Sequence, residues 1–253
     1  MSATRWTDLT WTELRDLNRE RAVPLLPVGA TEAHGPHLAV STDVVISEAM
    51  VRAGAAKLRQ RGREPVLLPP LHYTAAPFAR AFPGTISVEP GVVLETVVGI
   101  ARSLTEQGFR VLAIANSHLD PAHLAALNEA VAVCDRERLL PVAFPDLTRK
   151  PWALRLTDEF KSGACHAGQY ETSVVLAEAP DLVRDAVRAE LPDNPRSIGD
   201  AIREGKSTFE DAGGPEAYFG FPARATAEEG RKTVEVLGEI LAEAVLDACP
   251  EIA

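Results

Sequence analysis

The sequence predicts an α/β protein built on a mainly parallel central sheet, and three observations predict it. Short apolar runs alternate with long amphipathic ones, the pattern of strands joined by crossover helices. The chain has 253 residues, a length that α/β folds commonly reach as one unit, so one domain across residues 1–253 is expected. Hydrophobic residues make up 46% and charged residues 25%, an ordinary globular mix that argues against disorder.

The elements follow in order. Val23 to Val28 (VPLLPV) is a short apolar run ending at Gly29 and reads as a buried strand. Its two prolines weaken that reading, because each removes a ladder donor. Asp43 to Leu58 places Val44, Val45, Met50 and Val51 at roughly helical spacing. Pro65 to Leu68 is a second strand. Glu89 to Leu104 is a helix whose apolar side holds Val92, Val93, Val97, Val98 and Ile100, and Gly108 caps its end. Arg110 to Ala115 is the cleanest strand. Pro121 opens a third helix, where its missing N–H costs nothing. Pro141 to Phe144 is a fourth strand, and Glu171 to Ala179 and Thr226 to Ala248 are later helices. The stretches from Leu147 to Gly168 and from Leu191 to Tyr218 look irregular, as functional lids or oligomer contacts do.

Composition excludes several classes. Lys and Arg number 26 against 36 Asp and Glu, a formal charge of −10. That field repels phosphate backbones and anionic lipid, so no nucleic-acid partner is expected. The three cysteines, Cys134, Cys165 and Cys249, are odd in number and form no CxxC. A reducing, cytoplasmic compartment is therefore expected. The opening Met1 to Trp6 has no apolar leader core, and no run of 18 apolar residues occurs, so no membrane association is expected.

Chemistry concentrates around three of the six histidines. Glu32, His34 and Asp43 follow the first strand, at the carboxyl edge where open α/β sheets bind ligands. Imidazole with carboxylate suits zinc, manganese or iron better than magnesium. Asp43 could equally be a helix N-cap. His118 and Asp120 lie at the matching edge of a later strand, and Asp120 could likewise cap the helix at Pro121. His166 and Glu171 form the third neighbourhood. There Glu171 is either a first-turn acid favoured by the helix dipole or part of a site, and His166 could be an ordinary surface histidine. His37, His72 and His123 read as structural. No phosphate-binding glycine loop, no G-x-S-x-G elbow and no H-E-x-x-H occurs. A thiol nucleophile at Cys165 beside His166 is disfavoured, since side chains adjacent in sequence seldom meet.

Four segments in order resemble one family. P-x-G-(S/T)-x-E-Q-H-G-P-H-L-P stands here as Pro27-Val28-Gly29-Ala30-Thr31-Glu32-Ala33-His34-Gly35-Pro36-His37-Leu38-Ala39, leading to Asp43. F-P-G-T-(I/L)-S stands as Phe82 to Ser87, and H-A-G-x-x-E-T-S is intact from His166 to Ser173. The segment Pro222 to Gly230 is similar to the family's end. Over nearly its whole length the chain resembles the creatininase family of metal-dependent amidohydrolases.

The resemblance implies a three-layer α/β/α domain with two divalent metal ions (zinc, manganese or iron). It implies Glu32, His34, Asp43 and His118 as ligands, with Asp43 bridging and Asp120 or Glu171 as the fifth. His166 and Glu171 are expected as the catalytic pair, His166 donating a proton to the leaving nitrogen. Ser87 and Trp152 are expected to line the substrate pocket. Ala33 replaces the usual glutamine, and the segment from Asn116 to Pro121 departs from the family's glycine-rich stretch. Trp152 alone stands in the lid region, so creatinine itself is not the expected substrate. The expected function is hydrolysis of a non-peptide or cyclic amide C–N bond of a small molecule by a metal-activated water. Relatives offer two alternatives on the same site, deformylation of a formylaminopyrimidine nucleotide and trimming of the mycofactocin precursor peptide. A third alternative is a metal-free binding or assembly protein that keeps the fold. A homo-oligomer, commonly a hexamer in the family, is implied by resemblance alone.

Overall fold

Apolar runs too short for helices form the strands, and the amphipathic stretches between them return the chain to the same edge. The computed structural model describes residues 4–250; Met1 to Ala3, which begin the segment read as lacking a leader, lie outside the described residues. In chain order the elements are β1 (Thr4–Arg5), α1 (Trp11–Arg15), β2 (Ala22–Val28), α2 (Thr42–Gln60), β3 (Glu64–Leu67) and α3 (Pro90–Glu106). They continue with β4 (Leu112–Asn116), α4 (Pro121–Arg136), β5 (Val142–Ala143), α5 (Asp158–Ser162), α6 (Gln169–Glu178), α7 (Asp185–Glu190), α8 (Ile198–Arg203), α9 (Phe209–Ala212) and α10 (Ala227–Ala248).

The five strands form one sheet in the order β1-β3-β2-β4-β5, every pair parallel. The central strand β2 is buried along its whole length, as a parallel strand covered on both faces must be. Its prolines fall where they remove little. Pro24 precedes the first β4 partner, which is Leu25 opposite Ala113. Pro27 lies past the last β3 partner, and there only its carbonyl is used, accepting from Leu71 N.

Alternate residues of β2 and β4 feed two cores. Val23, Leu25, Ala113 and Ala115 pack with Met50, Leu58, Leu237 and Leu241 of α2 and α10. Leu26, Val28, Leu112 and Ile114 face Val93, Val97, Leu127 and Ala130 of α3 and α4 on the other side. The expected three layers are therefore present. Helix α10 also lies on α6, where a Cβ on Gly230 would stand 1.8 Å from the Ser173 carbonyl oxygen. Among the described residues, no helix is long and apolar enough to cross a membrane.

The structure departs from the expected elements in detail. β1 and α1 were not foreseen, β5 is only two residues long, and α6 begins at Gln169 rather than Glu171. The stretches read as irregular carry the short helices α5, α8 and α9. Helices of four to six residues are too short to show a 3.6-residue period in sequence.

Candidate metal centre

The carboxyl ends of β2 and β4 bring two sequence neighbourhoods together, and the start of α6 adds the third. Gly29, just past β2, has no room for a side chain: a Cβ there would lie 2.6 Å from Val44 N. The first turn of α2 therefore rests against the strand end and sets Asp43 over the sheet edge. Asp43 is not the N-cap of α2, a position held by Ser41.

Two imidazoles face the carboxylates with a free ring nitrogen each. His118 Nε2 donates to Ala75 O at 2.8 Å. Its Nδ1 then faces Glu32 Oε1 and Asp43 Oδ2, each at 3.1 Å. His34 Nδ1 pairs with Glu32 O at 3.2 Å, leaving Nε2 3.3 Å from Asp43 Oδ1 and 3.4 Å from Glu171 Oε2. Asp43 thus turns one oxygen to each histidine. A backbone carbonyl on the far nitrogen is how proteins orient a metal-ligating imidazole. Asn116 braces the β4 end by donating to His118 O at 2.7 Å and accepting from His123 Nε2 at 2.9 Å. Ser117 Oγ donates to Asp43 O.

The third contribution comes from the tight turn before α6. Ala167 has φ 51°, the left-handed region, a strained conformation for a residue with a Cβ. This turn directs His166 and Glu171 to the same side, and Ala167 N donates to Glu171 Oε2 at 2.6 Å. His166 Nε2 donates to Ala33 O at 3.0 Å, its Nδ1 lies 3.9 Å from Glu32 Oε1, and its ring stacks on Phe209.

Among the described residues three donor groups result: Glu32, Asp43 and His118; His34, Asp43 and Glu171; and Glu32, His34 and His166, each with donor atoms within 4.8 Å of one another. Glu32 Oε2, His34 Nε2 and Asp43 Oδ2 are buried without a hydrogen-bond partner. Buried polar atoms are rarely left so, and divalent cations would satisfy them. Mixed imidazole and carboxylate donors also match the chemistry of zinc, manganese or iron. The residues present therefore fit the expected metal ions.

The electrostatics agree. Burial opposes a charge on His34, but Asp43, Glu171 and Glu32 outweigh it and lift the pKa to about 10. Burial likewise opposes a charge on His118, and Glu32 with Asp43 overcomes it and raises His118 well above its ordinary range. Asp43 is held below the usual carboxylate range, because His34 and His118 outweigh its own desolvation. Burial, with Asp43 and Glu32 adding repulsion, pushes Glu171 up to about 8 against the pull of His34. Desolvation raises Glu32 as well. Burial holds His166 well below its ordinary value.

Of the other expected positions, Asp120 borders the same cavity, while Ser87 and Trp152 do not. Asp120 is the N-cap of α4, with Oδ1 accepting from Ala122 N at 2.8 Å and Oδ2 from Phe78 N at 3.1 Å. Both oxygens serve backbone amides, and Asp120 belongs to none of the donor groups. Ser87 turns its hydroxyl to Ala76 N, and Trp152 packs against the hydrophobic core; neither lines the cavity at the centre. That cavity encloses about 340 Å³. Beyond the donors its walls include Phe78, Leu119, Phe160, Ile198, Ile202 and Phe209, with the charged Asp120, Lys161 and Arg203. Phe160, Ile198, Ile202 and Phe209 carry no motif, and the helices that present them, α5, α8 and α9, are too short to show a period in sequence. Arg80, Arg155 and Arg224, the cations a nucleotide phosphate would need, are outside the lining. Cys165 lines the cavity, but burial pushes its thiol well up, away from the nucleophilic thiolate. His37 is buried against Thr172 Oγ1 at 3.0 Å, a structural place.

Comparisons with known proteins find similarity in both sequence and fold. The family model Creatininase, described as creatinine amidohydrolase, matches residues 7–245. The mycofactocin precursor peptide peptidase of Mycolicibacterium smegmatis is 31% identical over 227 residues, covering 86% of this chain and 82% of the relative. The creatinine amidohydrolase of Pseudomonas putida is 28% identical over 194 residues, covering 70% and 72%. The solved structure of a tryptophan-to-phenylalanine mutant creatininase superposes with a TM-score of 0.75 at 25% identity, over 97% of this chain and 99% of that one.

Proposed function

Because the chain belongs to the creatininase family and is a hydrolase acting on carbon–nitrogen bonds, we propose that it cleaves an amide bond of a small molecule bearing an apolar group, using two divalent cations. One observation carries this reading: Asp43 belongs to two donor groups at once, with one oxygen toward His118 and the other toward His34. Glu32 and His118 would hold one cation, His34 and Glu171 the other, and Asp43 would bridge them. Such a pair supplies Lewis acidity, polarising an amide carbonyl and lowering the pKa of a water from about 15.7 toward about 7.

The remaining work falls to side chains. His166 has its Nε2–H spent on Ala33 O, so Nδ1 offers a lone pair rather than a proton. It therefore accepts a proton from the attacking water at Nδ1 first and then returns it to the leaving nitrogen, so that the expected donor acts second. Phe78, Phe160 and Phe209 take the apolar part of the substrate and keep bulk water away. The absence of tryptophan from the lining agrees with a substrate other than creatinine.

The peptidase reading of the same chemistry draws on one observation, the identity shared with the mycofactocin precursor peptidase across most of both chains. A metal-free binding role would leave the unpartnered Glu32, His34 and Asp43 atoms without purpose. The test is to strip metal with a chelator, restore zinc, manganese or iron, and screen small amides, formamides and peptides for amine release. Release that returns only with metal is expected. Release that survives complete removal of metal overturns the reading.

A further inference from the structure

We propose that this site selects substrates carrying a carboxylate beyond their apolar part, held by Lys161 and Arg203 at the rim of the cavity. The proposal rests on the amide-hydrolase reading and names its substrate class. The chain as a whole is acidic, with a formal charge of −10, yet beyond the donor groups this lining has the opposite sign. Its charged members there are Lys161, Arg203 and Asp120. Asp120 has both oxygens engaged on backbone amides, so the two cations face any ligand that enters.

The two cations sit on elements tied together. Lys161 belongs to α5 and Arg203 to α8. Ile198 N donates to Gly163 O at 2.8 Å, joining the end of α5 to the start of α8. Gly163, with φ +79°, turns the chain at that junction, and Ser197 Oγ fills the space a Cβ there would need. The Arg203 guanidinium folds back over Gly199, 3.7 Å from where its Cβ would stand. Both cations therefore border the same opening.

The charge present matches a monoanion. Lys161 Nζ pairs with Asp158 at 2.7 Å, and Arg203 pairs with Asp200; both aspartates are exposed and outside the lining. Exposed pairs one helical turn apart are weak, so a ligand carboxylate can draw the cations inward. The neighbouring aspartates leave too little net positive charge for a phosphate dianion. A carboxylate-terminated amide with an aromatic or branched side chain would thus meet three features in order: metal donors, apolar wall and cationic rim.

The test uses the full-length, zinc-loaded protein and three probes, N-acetylphenylalanine, its uncharged amide, and phenyl phosphate. Binding is measured calorimetrically for the native chain and for Lys161→Gln/Arg203→Gln, with melting temperature and zinc content recorded for both. We expect the carboxylate to bind about tenfold more tightly than the amide and more tightly than the phosphate. In the double variant that preference should shrink to within about threefold, with zinc content unchanged. A preference that persists in the double variant would mean the metal holds the carboxylate, and the proposal falls. Equal binding of carboxylate and amide, tighter binding of phenyl phosphate, or no binding of the carboxylate at millimolar concentration overturns it as well. Amine release from the same probes, followed separately, reports on the hydrolase reading. Its failure with an intact binding preference would count against the chemistry and leave the rim standing.

Discussion

Asp43 and Asp120 both stand where a strand hands over to a helix, both are buried, and only their oxygens' partners separate them. Asp43 faces two imidazoles, whereas Asp120 caps α4 and reaches Phe78 N. Asp43→Asn should therefore abolish binding of at least one cation per chain and reduce amide hydrolysis to the level of the metal-free protein. Asp120→Ala should keep its metal and lose about 1 kcal/mol of stability as a lost cap. Metal analysis with denaturant unfolding checks both, and an Asp120→Ala protein that folds but loses a cation would return the ligand role to Asp120. Sequence could not separate the two, because a cap and a ligand both call for an aspartate at a strand-to-helix junction. What distinguishes Asp120 in the structure is the Phe78 amide, 42 residues away along the chain. His34, His118 and Glu171 were legible because each sits beside a strand end or helix start that the hydrophobic pattern already marked. Ser87 and Trp152 were not, since a segment motif says nothing of which way a hydroxyl or an indole turns.

At the scale of elements, the long amphipathic helices and buried strands could be read because their apolar periods survive over many residues. The short helices α5, α8 and α9 could not, and they build much of the cavity wall. α5 also positions α6. Glu159 is buried and accepts from Gln169 N at 2.8 Å, Tyr170 N at 2.6 Å and Phe221 N at 2.7 Å. It thereby pins the first turn of the helix that carries Glu171. Burial raises its pKa, although those three amides pull the other way. Glu159→Ala would leave one buried and two part-buried amides unpaired and should cost about 2–3 kcal/mol, read from the denaturant midpoint. Glu159→Gln keeps one acceptor oxygen and should cost less. If the alanine protein is as stable as the native one, the carboxylate is not what holds this turn. Gly29 makes a second element-scale case. A Cβ there would meet Val44 N and the Asp43 side chain, so Gly29→Ala should push α2 off the end of β2. It should cost about 1–3 kcal/mol and weaken metal binding together; loss of stability with native metal affinity would separate the junction from the site.

For the whole molecule, the layered fold was legible from the alternation of elements, whereas the meeting of three distant segments in one concentration of charge was readable only through the family resemblance, because no spacing within one segment reports it. That concentration sets how stability depends on pH. Without metal, protons stand in for the cations. His34 titrates at about 10 in the folded chain against an ordinary 6.5, so its contribution is complete below 6.5 and is lost as pH rises through 10. Glu171 titrates at about 8 against an ordinary 4.5, so here too the folded state binds the proton more tightly, and stability falls as pH rises through 8. His37 has the opposite sign, held at about 4 by burial and by the nearby charges of His34 and Arg188, but its change is complete by about pH 7. Between about pH 7 and about pH 10 the metal-free chain should therefore lose stability steadily. Zinc or manganese replaces those protons, so the loaded chain should show a much flatter profile over the same range, and loading at pH 7 should release at least about one proton per chain. Urea midpoints at pH 7, 8, 9 and 10, with and without chelator, read the first effect. Calorimetry of metal binding in two buffers of different ionisation enthalpy reads the second. A metal-free midpoint that rises with pH, or binding heats independent of buffer, would mean that His34 and His118 are already neutral in the folded chain and that protons do not hold the centre together.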